Sequence, residues 1–485
     1  MRLAELLPAL GPVAVDGPVD RWVQDVVHDS RRAGPGSVFA ALPGQTVDGR
    51  RFVPGLDCAA VITEGPVEAR PGVTVLRVPH ARAAFARAAA ALAGWPGRAI
   101  PVVGVTGTNG KTTSTFLIAA LAEAHGWPAA VIGTTGHRIA GRAVPSTHTT
   151  PEAPVLQALL SDAQAAGCGV VAMEVSSIGL DMRRVEGIPF RVAAWTSFSR
   201  DHLDYHGTME AYHAAKARLF DELLDPAGTA VLCSGLPFAR SLPVRAGAAR
   251  WTYGRAADDT VRLEKAVQDL DGAWLSLHTP AGDFEARTHL LGAHNVENVL
   301  CAAAVGLALG LPPAAIQAGL YGLRAVPGRL ERVPNPHGFH IFVDYAHTPD
   351  ALTQVLGTLR PLCAGRLLTV MGCGGDRDAG KRPLMGAAAG AASDLVFLTS
   401  DNPRSEDPHL ILAQIRAGTP GEPVVEPDRA AAIHAAIAAA RPGDVVLIAG
   451  KGHETTQTIG TTVLPFDDRA VAAAAVAARL RPEPR

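Results

Sequence analysis

The sequence predicts an α/β protein of three domains, in which two doubly wound parallel sheets follow a smaller N-terminal domain. Its 485 residues exceed what one domain of roughly 150 residues holds. Short apolar runs alternate with helical patterns, and polar or glycine-rich segments follow these runs directly. Such alternation is typical of parallel sheets that helices cover on both faces.

Residues 1–97 form the first predicted domain. It combines short strand-like runs with turn residues and ends on the alanine-rich helical stretch HARAAFARAAAALAGW. The Pro-Gly signal in GWPGRAIP then indicates a boundary.

Residues 98–328 form the second predicted domain, and residues 329–485 form the third. In the second, IPVVGV runs into TGTNGKTT and a helical stretch, and further apolar runs alternate with helices. In the third, HIFVDYAH, RLLTVMGCGG, DLVFLTSDNP and DVVLIAGKG each predict a buried strand that ends in a polar or glycine-rich loop. We therefore predict a second doubly wound, Rossmann-like sheet, whose ligands bind at the carboxyl ends of the strands.

Composition argues against several classes of protein. The formal net charge is −2, aromatic residues make up 5%, and no basic tract occurs, so no nucleic-acid partner is expected. Six cysteines without a CxxC pair fit a reducing compartment better than a disulfide framework or a zinc cluster. No uncharged apolar run reaches the ~18 residues of a membrane span, and no signal peptide is evident. We expect a soluble, cytoplasmic monomer.

The segment TGTNGKTT predicts a phosphate-binding loop. Backbone N–H groups of a glycine loop and the N-terminus of the following helix together bind anions. Lys111 can reach the β- and γ-phosphates of a nucleotide, and the Thr112 hydroxyl can bind Mg²⁺. The strict pattern would have glycine where this chain has Val105. The predicted nucleotide-binding residues here are Gly107, Thr108, Asn109, Gly110, Lys111, Thr112 and Thr113.

A series of motifs, in order along nearly the whole chain, resembles the Mur ligase family, and within it the branch that adds a diamino acid to a UDP-linked muramoyl dipeptide. The motifs are TGTNGKTT, STHTTPE, MEVSS, SRDHLDYHGTMEAYHAAKARLF, GAHNVENVLCAAA, VPGRLERV, VDYAHTPDAL, GCGGDRDAGKRPLM, DNPRSEDP and AGKGHE. The resemblance implies an N-terminal UDP-substrate domain, a central P-loop ATPase and a C-terminal domain that resembles a dinucleotide-binding fold. It also implies ATP and Mg²⁺ as cofactors, UDP-N-acetylmuramoyl-L-alanyl-D-glutamate and a diamino acid as substrates, and a role in peptidoglycan synthesis.

The resemblance places the catalytic centre at Lys111, Glu174, His202 and Lys216. Glu174 ends the strand GVVAMEV, and His202 in SRDHLDYHG resembles a second magnesium ligand. Lys216 occupies the position of a lysine that CO₂ carbamoylates in the family, and a carbamate offers oxygen donors suited to Mg²⁺. The implied metal ligands are therefore Thr112, Glu174, His202 and carbamoylated Lys216, whereas His206 is expected to be structural.

The other implied contacts form three groups. ATP's adenine and ribose would meet Asn298, Arg329, Asp344 and His347. The UDP-muramoyl peptide would meet Ser30, Gln45, Thr46, Val47, Thr149, Thr150, Ser176 and Arg184. The diamino acid would meet Arg377, Asp401, Asn402, Pro403, Arg404, Gly450 and Glu454. Two positions depart from the family: Ile178 stands where it commonly has histidine, and Met182 where some members have glutamine.

Arg404 is the residue that favours meso-2,6-diaminopimelate as the diamino acid. A guanidinium binds a carboxylate bidentately, and diaminopimelate has a distal carboxylate that lysine and ornithine lack. We expect this diamino acid to be joined to the D-glutamate γ-carboxylate through an acyl phosphate, with ADP and phosphate as products.

Other functions remain open. The same ligase could use L-ornithine or L-lysine. A folylpolyglutamate synthetase is a remoter alternative, against which DNPR, GKGHE and the long N-terminal domain argue. A regulatory P-loop ATPase would hydrolyse ATP without the dipeptide, and a non-catalytic UDP-sugar-binding protein would not need the candidate metal ligands.

Overall fold

The structure is a computed structural model that describes residues 1–44, 47–146 and 148–479. Its α-helices are α1 (Leu3–Leu10), α2 (Ala81–Leu92), α3 (Lys111–Ala124), α4 (Ala153–Ala165), α5 (Ser177–Asp181), α6 (Leu203–His206), α7 (Met209–Asp221), α8 (Ala293–Ala308), α9 (Pro313–Gly322), α10 (Pro349–Leu359), α11 (Lys381–Ala392), α12 (Pro408–Gly418), α13 (Arg429–Ala439) and α14 (Asp468–Arg479).

The strands alternate with these helices along the chain. They are β1 (Ala14–Asp16), β2 (Asp25–Val27), β3 (Ser37–Ala40), β4 (Ala60–Thr63), β5 (Thr74–Arg77), β6 (Val102–Thr106), β7 (Ala129–Ile132), β8 (His137–Ile139), β9 (Arg142–Val144), β10 (Val170–Glu174), β11 (Phe190–Trp195), β12 (Leu224–Cys233), β13 (Ala249–Gly254), β14 (Val261–Asp269), β15 (Gly272–His278), β16 (Phe284–Thr288), β17 (Glu331–Val333), β18 (His340–Asp344), β19 (Leu367–Met371), β20 (Leu395–Leu398), β21 (Val424–Val425), β22 (Val445–Ala449), β23 (Thr456–Ile459) and β24 (Thr462–Pro465).

The N-terminal sheet has the order β1-β5-β4-β3-β2, and only β1 runs antiparallel to its neighbour. On one face, α1 and α2 bury Leu6 and Phe85 against the strands, and on the other face Phe39 and Val53 form a second small core. β2 forms one edge of this sheet.

The central sheet has a parallel part in the order β7-β10-β6-β11-β12-β13. Its strands β6 and β10 are buried along their whole length because helices cover both faces, as their nearly continuous apolar sequences predict. The carboxyl ends of β6 and β10 are therefore neighbours, with Glu174 opposite Val105.

The C-terminal sheet has the order β17-β18-β22-β19-β20-β21, and only β17 is antiparallel. Helices α10, α11 and α12 pack on one face through residues such as Leu356 and Ile415, and α13 and α14 pack on the other through Ile433 and Val476. This is a doubly wound sheet, and the predicted three-domain α/β fold class is confirmed.

The chain packs as two compact units. The first holds Met1–Glu264, Leu277–Phe284 and Glu297–Leu320, and includes the N-terminal sheet and the parallel part of the central sheet. The second holds Lys265–Ser276, Glu285–Val296 and the chain from Tyr321 onward, and includes the C-terminal sheet. The domain boundaries 97/98 and 328/329 stay predictions.

The length of the helices and the state of the cysteines can be compared with the predictions from the sequence. Within the part of the chain that the structure describes, no helix is long and apolar enough to cross a membrane. All six cysteines are unpaired thiols, and five are buried. Burial raises the pKa of Cys58 to about 11 and of Cys301 and Cys373 to about 12.

Candidate functional site

The predicted phosphate loop joins β6 to α3. Gly107 has φ +146° and Gly110 has φ +87°, a conformation that side chains with a Cβ rarely adopt. A Cβ at Gly107 would also collide with Thr196 Oγ1, and one at Gly110 with Asn298 Oδ1. The two glycines thus permit the turn that the sequence predicts, and Asn298 lies beside it.

The loop is held by residues that directly follow β11, the strand next to β6 in the sheet. Thr196 Oγ1 donates to the Asn109 carbonyl at 2.5 Å, and Ser197 Oγ accepts from the Asn109 amide at 2.8 Å. Lys111 Nζ donates to the carbonyls of Gly107 and Thr108, both at 2.8 Å. The ammonium therefore lies over the loop, next to the N-terminus of α3, where an anion is stabilised.

Glu174 lies at the carboxyl end of β10 and is buried. Its Oε1 accepts from Thr112 Oγ1 and from the Thr134 amide, both at 2.9 Å, and its Oε2 accepts from Thr134 Oγ1 at 3.1 Å. Two of the four predicted metal ligands, Thr112 and Glu174, are thus in direct contact beside the phosphate loop. Thr134 was not singled out from the sequence, because no motif marks it.

Lys216 is a buried lysine on α7, and its side chain also reaches the loop. Its Nζ lies 3.1 Å from the Gly107 carbonyl, 3.4 Å from Thr106 Oγ1 and 4.6 Å from the centre of the Tyr212 ring. Burial, and then the charge of Lys111, hold the pKa of Lys216 well below its ordinary value. The structure thus brings Lys111 and Lys216 to the same loop.

His202 and His206 lie on either end of the short helix α6. His202 has φ +51° and a side chain that is 42% exposed, with Nε2 3.5 Å from Asp201 Oδ2. His206 Nε2 instead shares a hydrogen bond of 3.0 Å with Ser177 Oγ. His206 therefore has a hydrogen-bond partner on α5, whereas the half-exposed His202 ring lies near the neighbouring Asp201.

Among residues 1–44, 47–146 and 148–479, no group of three or more His, Cys, Asp or Glu side chains is arranged to hold a metal ion. Of the four predicted magnesium ligands, only Glu174 and His202 are of these residue types. The predicted site would therefore not form a group of three. The other two are a threonine hydroxyl and a modified lysine.

Three residues predicted to bind the muramoyl peptide form a hydrogen-bonded group after β10. Thr150 Oγ1 donates to the Glu174 carbonyl at 3.0 Å and accepts from the Ser176 amide at 3.0 Å. The Arg184 guanidinium donates to the Thr150 carbonyl at 2.9 Å and pairs with Glu152 at 2.7 Å. The group therefore contacts the backbone of Glu174, the residue whose carboxylate binds Thr112.

Neighbouring residues extend this group. The fourth predicted contact, Thr149, shares a hydrogen bond of 2.9 Å with Thr134, which also binds Glu174. Met182, the residue that departs from the family pattern, accepts from Arg184 Nη2 through its sulfur at 3.4 Å. Ile178 is half-buried on α5.

Ser30 begins a short 3-10 helix, Ser30–Arg32, which the Asp29 side chain caps. A cavity of about 290 Å³ adjoins it, and its walls include His28, Asp29 and Arg32 together with Glu152 and Pro154. The segment around Ser30 and the segment that follows Thr149 and Thr150 therefore border the same cavity within the first unit. Val47 is exposed, whereas Gln45 and Thr46 lie outside the described residues.

The residues predicted to bind the diamino acid come from three loops, which follow the adjacent strands β22, β19 and β20. Asp401 and Asn402 are buried, and a Cβ at Gly450 would lie 2.6 Å from Asp401 Oδ2. Asn402 Nδ2 donates to Glu454 Oε2 at 3.0 Å. The DNPR and GKGHE motifs thus meet within the second unit.

Arg404, with φ +50°, is the residue of this site that reaches the third loop. Its Nη1 donates to the Gly375 carbonyl at 2.6 Å, and its amide donates to the Thr458 carbonyl at 3.1 Å. Arg377 lies exposed in the same GGDRD loop, and Pro403 is buried beside Arg404. The guanidinium of Arg404 thus lies against the loop that carries Arg377.

Asp344 organises the loop after β18. Its two oxygens accept from the amides of Leu330 at 2.7 Å and Ala346 at 2.8 Å, and burial raises its pKa. Arg329 lies 5.5 Å from the ring centre of Tyr345, and His347 Nδ1 shares a hydrogen bond of 2.8 Å with the Tyr345 carbonyl. Arg329, Asp344 and His347 are therefore brought together in the second unit, whereas Asn298 belongs to the first.

The sequence is similar to known proteins over nearly its full length. Residues 105–306 match the family described as Mur ligase middle domain, and residues 328–452 match the Mur ligase, glutamate ligase domain. A UDP-N-acetylmuramoyl-L-alanyl-D-glutamate–2,6-diaminopimelate ligase from Geobacter metallireducens is 44% identical over an alignment of 502 positions, gaps included, that covers 98% of each chain.

Solved structures of Mur ligases and of a synthase are also similar to this chain. A structure of an enzyme with that same name aligns with a TM-score of 0.76 and 34% identity over 99% of this chain and 100% of the other. Folylpolyglutamate synthase from Mycobacterium tuberculosis, solved with ADP and AMPPCP, aligns with a TM-score of 0.60 over 82% of this chain and 95% of its own. At 23% identity, this second likeness shows a shared fold alone.

Proposed function

The chain belongs to the Mur ligase family, and from this we propose that it is an ATP-dependent ligase that joins meso-2,6-diaminopimelate to UDP-N-acetylmuramoyl-L-alanyl-D-glutamate. The bond formed is an amide with the D-glutamate γ-carboxylate. One observation carries the proposal: the glycine loop with Lys111 and Glu174, and the DNPR cluster with Arg404, occur in a chain that is 44% identical, over 98% of its length, to a ligase so named.

The proposed reaction begins at the phosphate loop. Lys111, the loop amides and the N-terminus of α3 would stabilise the charge on the γ-phosphate while the D-glutamate γ-carboxylate attacks its phosphorus. The bond between the γ-phosphorus and the bridging oxygen breaks, ADP leaves, and an acyl phosphate remains. An amine of the diamino acid then attacks the acyl carbon, phosphate leaves, and the amine loses a proton as the amide forms.

Magnesium fits the residues beside this loop. Mg²⁺ takes oxygen ligands, and the Thr112 hydroxyl and Glu174 carboxylate lie 2.9 Å apart. With His202 and a carbamate on Lys216 they would hold the ion, which supplies positive charge next to the phosphates. The depressed pKa of Lys216 favours its neutral amine, and the neutral amine is the form that adds to CO₂.

The substrate assignments rest on two clusters. The cavity beside Ser30 and the hydrogen-bonded group of Thr150, Ser176 and Arg184 support binding of the UDP-muramoyl peptide. Arg404 uses Nη1 for the Gly375 carbonyl, and its Nε and Nη2 have no hydrogen-bond partner among the residues described. Two donors of the fork are thus free to bind the distal carboxylate that diaminopimelate has and lysine lacks.

Product analysis by mass spectrometry tests the function. Purified protein receives ATP, Mg²⁺, the UDP-muramoyl dipeptide and equal concentrations of diaminopimelate, lysine and ornithine. We expect the diaminopimelate adduct and one ADP for each amide formed, with little ADP when the dipeptide is omitted. ATP hydrolysis that does not depend on the dipeptide would instead favour a regulatory ATPase, and a lysine or ornithine adduct would overturn only the choice of diamino acid.

Lys111→Met tests the role of the loop. Removal of a preorganised charge stabiliser costs roughly 3–4 kcal/mol, or about two to three powers of ten in kcat. Lys265→Met, which changes an exposed lysine on β14, is the matched control. Both variants should fold, and near-normal turnover by folded Lys111→Met would refute the proposed mechanism.

A further inference from the structure

Lys451 is a fully buried lysine at the candidate diamino-acid site, and none of the roles assigned above includes it. It follows β22, next to Gly450, and none of its surface is exposed. Lysine is almost never fully buried unless it is paired, because removal of an ammonium from water is costly. Its partners therefore indicate what it does.

Those partners are three of the residues predicted to bind the diamino acid. Lys451 Nζ lies 3.1 Å from Asn402 Oδ1, 3.3 Å from Glu454 Oε2 and 3.9 Å from Asp401 Oδ1. One ammonium, with three N–H donors, thus joins the loop after β20 to the loop after β22.

The orientation of the Asn402 amide follows from this contact. Its Oδ1 accepts from Lys451 and from the Thr458 amide at 3.0 Å, so its Nδ2 is the group that donates to Glu454 Oε2. Both side-chain hydrogen bonds of Glu454 therefore fall on Oε2. Oε1 has no hydrogen-bond partner within the described part of the chain, and the Glu454 side chain is 34% exposed.

We propose that Lys451 is a positioning residue of the diamino-acid site, which holds Asn402 and Glu454 so that Glu454 Oε1 accepts from an ammonium group of the incoming diamino acid. This inference rests on the proposed function. Without the lysine charge, the carboxylates of Asp401 and Glu454 repel each other, and Asn402 Oδ1 loses one of its two donors while it keeps the Thr458 amide. The network then no longer holds Glu454 in place for the substrate.

Lys451→Met tests the inference because methionine keeps the unbranched apolar stem and removes the charge. We expect KM for the diamino acid to rise roughly tenfold to a hundredfold, the range of one charge-assisted hydrogen bond. KM for ATP and for the UDP-muramoyl dipeptide should stay within about threefold, as this range excludes a lost charge-assisted bond. Hydroxylamine can replace the diamino acid and trap the acyl phosphate as a hydroxamate. The rate of this trapping should also stay within about threefold of the native rate.

The control is Arg366→Met, which breaks the ion pair of 2.7 Å between Arg366 and Asp444, the residues directly before β19 and β22. It should lower the melting temperature and leave KM for the diamino acid unchanged. If Lys451→Met behaves like this control, or if all three KM values rise together, the lysine is only structural and the inference is wrong. Lys451→Gln, which keeps an N–H donor, serves if the methionine variant does not fold, and failure of both to fold also refutes a positioning role.

The hydroxamate assay distinguishes failure of the proposed ligase function from failure of the positioning role of Lys451. A native enzyme that forms no dipeptide-dependent hydroxamate would refute the proposed function itself. A native enzyme that forms it, together with an unchanged KM for the diamino acid in Lys451→Met, would refute only the role of Lys451.

Discussion

At the scale of single residues, Lys216 has a position that costs stability. Its ammonium is buried, and its near partners among the described residues are a carbonyl, a hydroxyl and an aromatic ring. Because burial and Lys111 lower its pKa in the folded protein, the unfolded chain binds more protons, and stability rises with pH. The loss of folding stability is largest at pH values below the folded-state pKa of Lys216. It becomes smaller as the pH rises toward the ordinary pKa of 10.5.

Lys216→Met should therefore stabilise the protein while it abolishes ligation. Each kcal/mol of relieved cost corresponds to about 2–4 °C in melting temperature for a domain of this size. In CO₂-free buffer, the advantage over native protein should be larger at pH 7 than at pH 9. Thermal melts with activity assays measure both effects, and a less stable or fully active variant would contradict the prediction.

Arg404→Ala should reduce kcat/KM for diaminopimelate by about ten- to a hundredfold, since a charge-assisted hydrogen bond contributes roughly 1.5–3 kcal/mol. Lysine should be a poor substrate for the native enzyme, because it leaves the guanidinium without a carboxylate partner. Arg404→Lys is the matched variant, which keeps the charge and loses the planar fork. Competition assays decide, and a native preference for lysine or ornithine would exclude diaminopimelate as the substrate.

At the scale of secondary-structure elements, a buried ion pair joins α13 to α14. Arg429 donates to both oxygens of Asp468, at 2.7 and 2.6 Å, and both side chains are fully buried. The same guanidinium also donates to the carbonyls of Ala449, the last residue of β22, and Ser400, two residues after β20. One arginine thus holds two helices on the ends of the strands that carry the diamino-acid loops.

Arg429→Met should lower the free energy of unfolding by roughly 3–5 kcal/mol, because Asp468 would remain buried without its partner. Arg429→Met combined with Asp468→Leu should recover much of the loss. The exposed pair of Arg360 and Asp394 is the control, whose loss should cost about 0–1 kcal/mol. Urea unfolding provides the measurement, and equal effects at the two pairs would contradict the argument.

The elements also show where sequence reasoning succeeds and where it ends. The strand, glycine loop and helix around Lys111 could be predicted because the signal is local. The link from Lys451 to Asn402 could not, because the two residues are 49 positions apart and meet only through the strand order β22-β19-β20. The contact between Met182 and Arg184 is local, but it depends on how the chain turns after α5. The sequence therefore shows that Met182 departs from the family pattern, and only the structure shows that Arg184 contacts it.

At the scale of the whole molecule, the chain passes between its two units several times. The segments Lys265–Ser276 and Glu285–Val296 pack with the unit that continues from Tyr321, whereas the predicted boundary at 328/329 assigns them to the central domain. Leu291 illustrates the difference, since it belongs to the same core as Leu356 and Leu398. Sequence patterns mark strands and turns, but not which core a strand joins.

Hydrogen exchange in dilute denaturant should distinguish these assignments, because amides of one cooperative unit lose protection together. We expect residues 265–276 and 285–296 to exchange with 321–479 rather than with 98–264. The strands β6 and β10 serve as the reference for the first unit. Exchange in step with these strands would support the 328/329 boundary.

The unpaired thiols make the chain a reporter of its own unfolding. Only the thiolate reacts readily with alkylating reagents, and burial both shields the sulfurs and raises their pKa. Cys58 lies beside the N-terminal sheet, Cys301 on α8, and Cys373 two residues after β19. Iodoacetamide should therefore leave native protein largely unmodified and label each site when its surroundings open, so peptide mapping would show the order in which the three sheets come apart without any engineered probe.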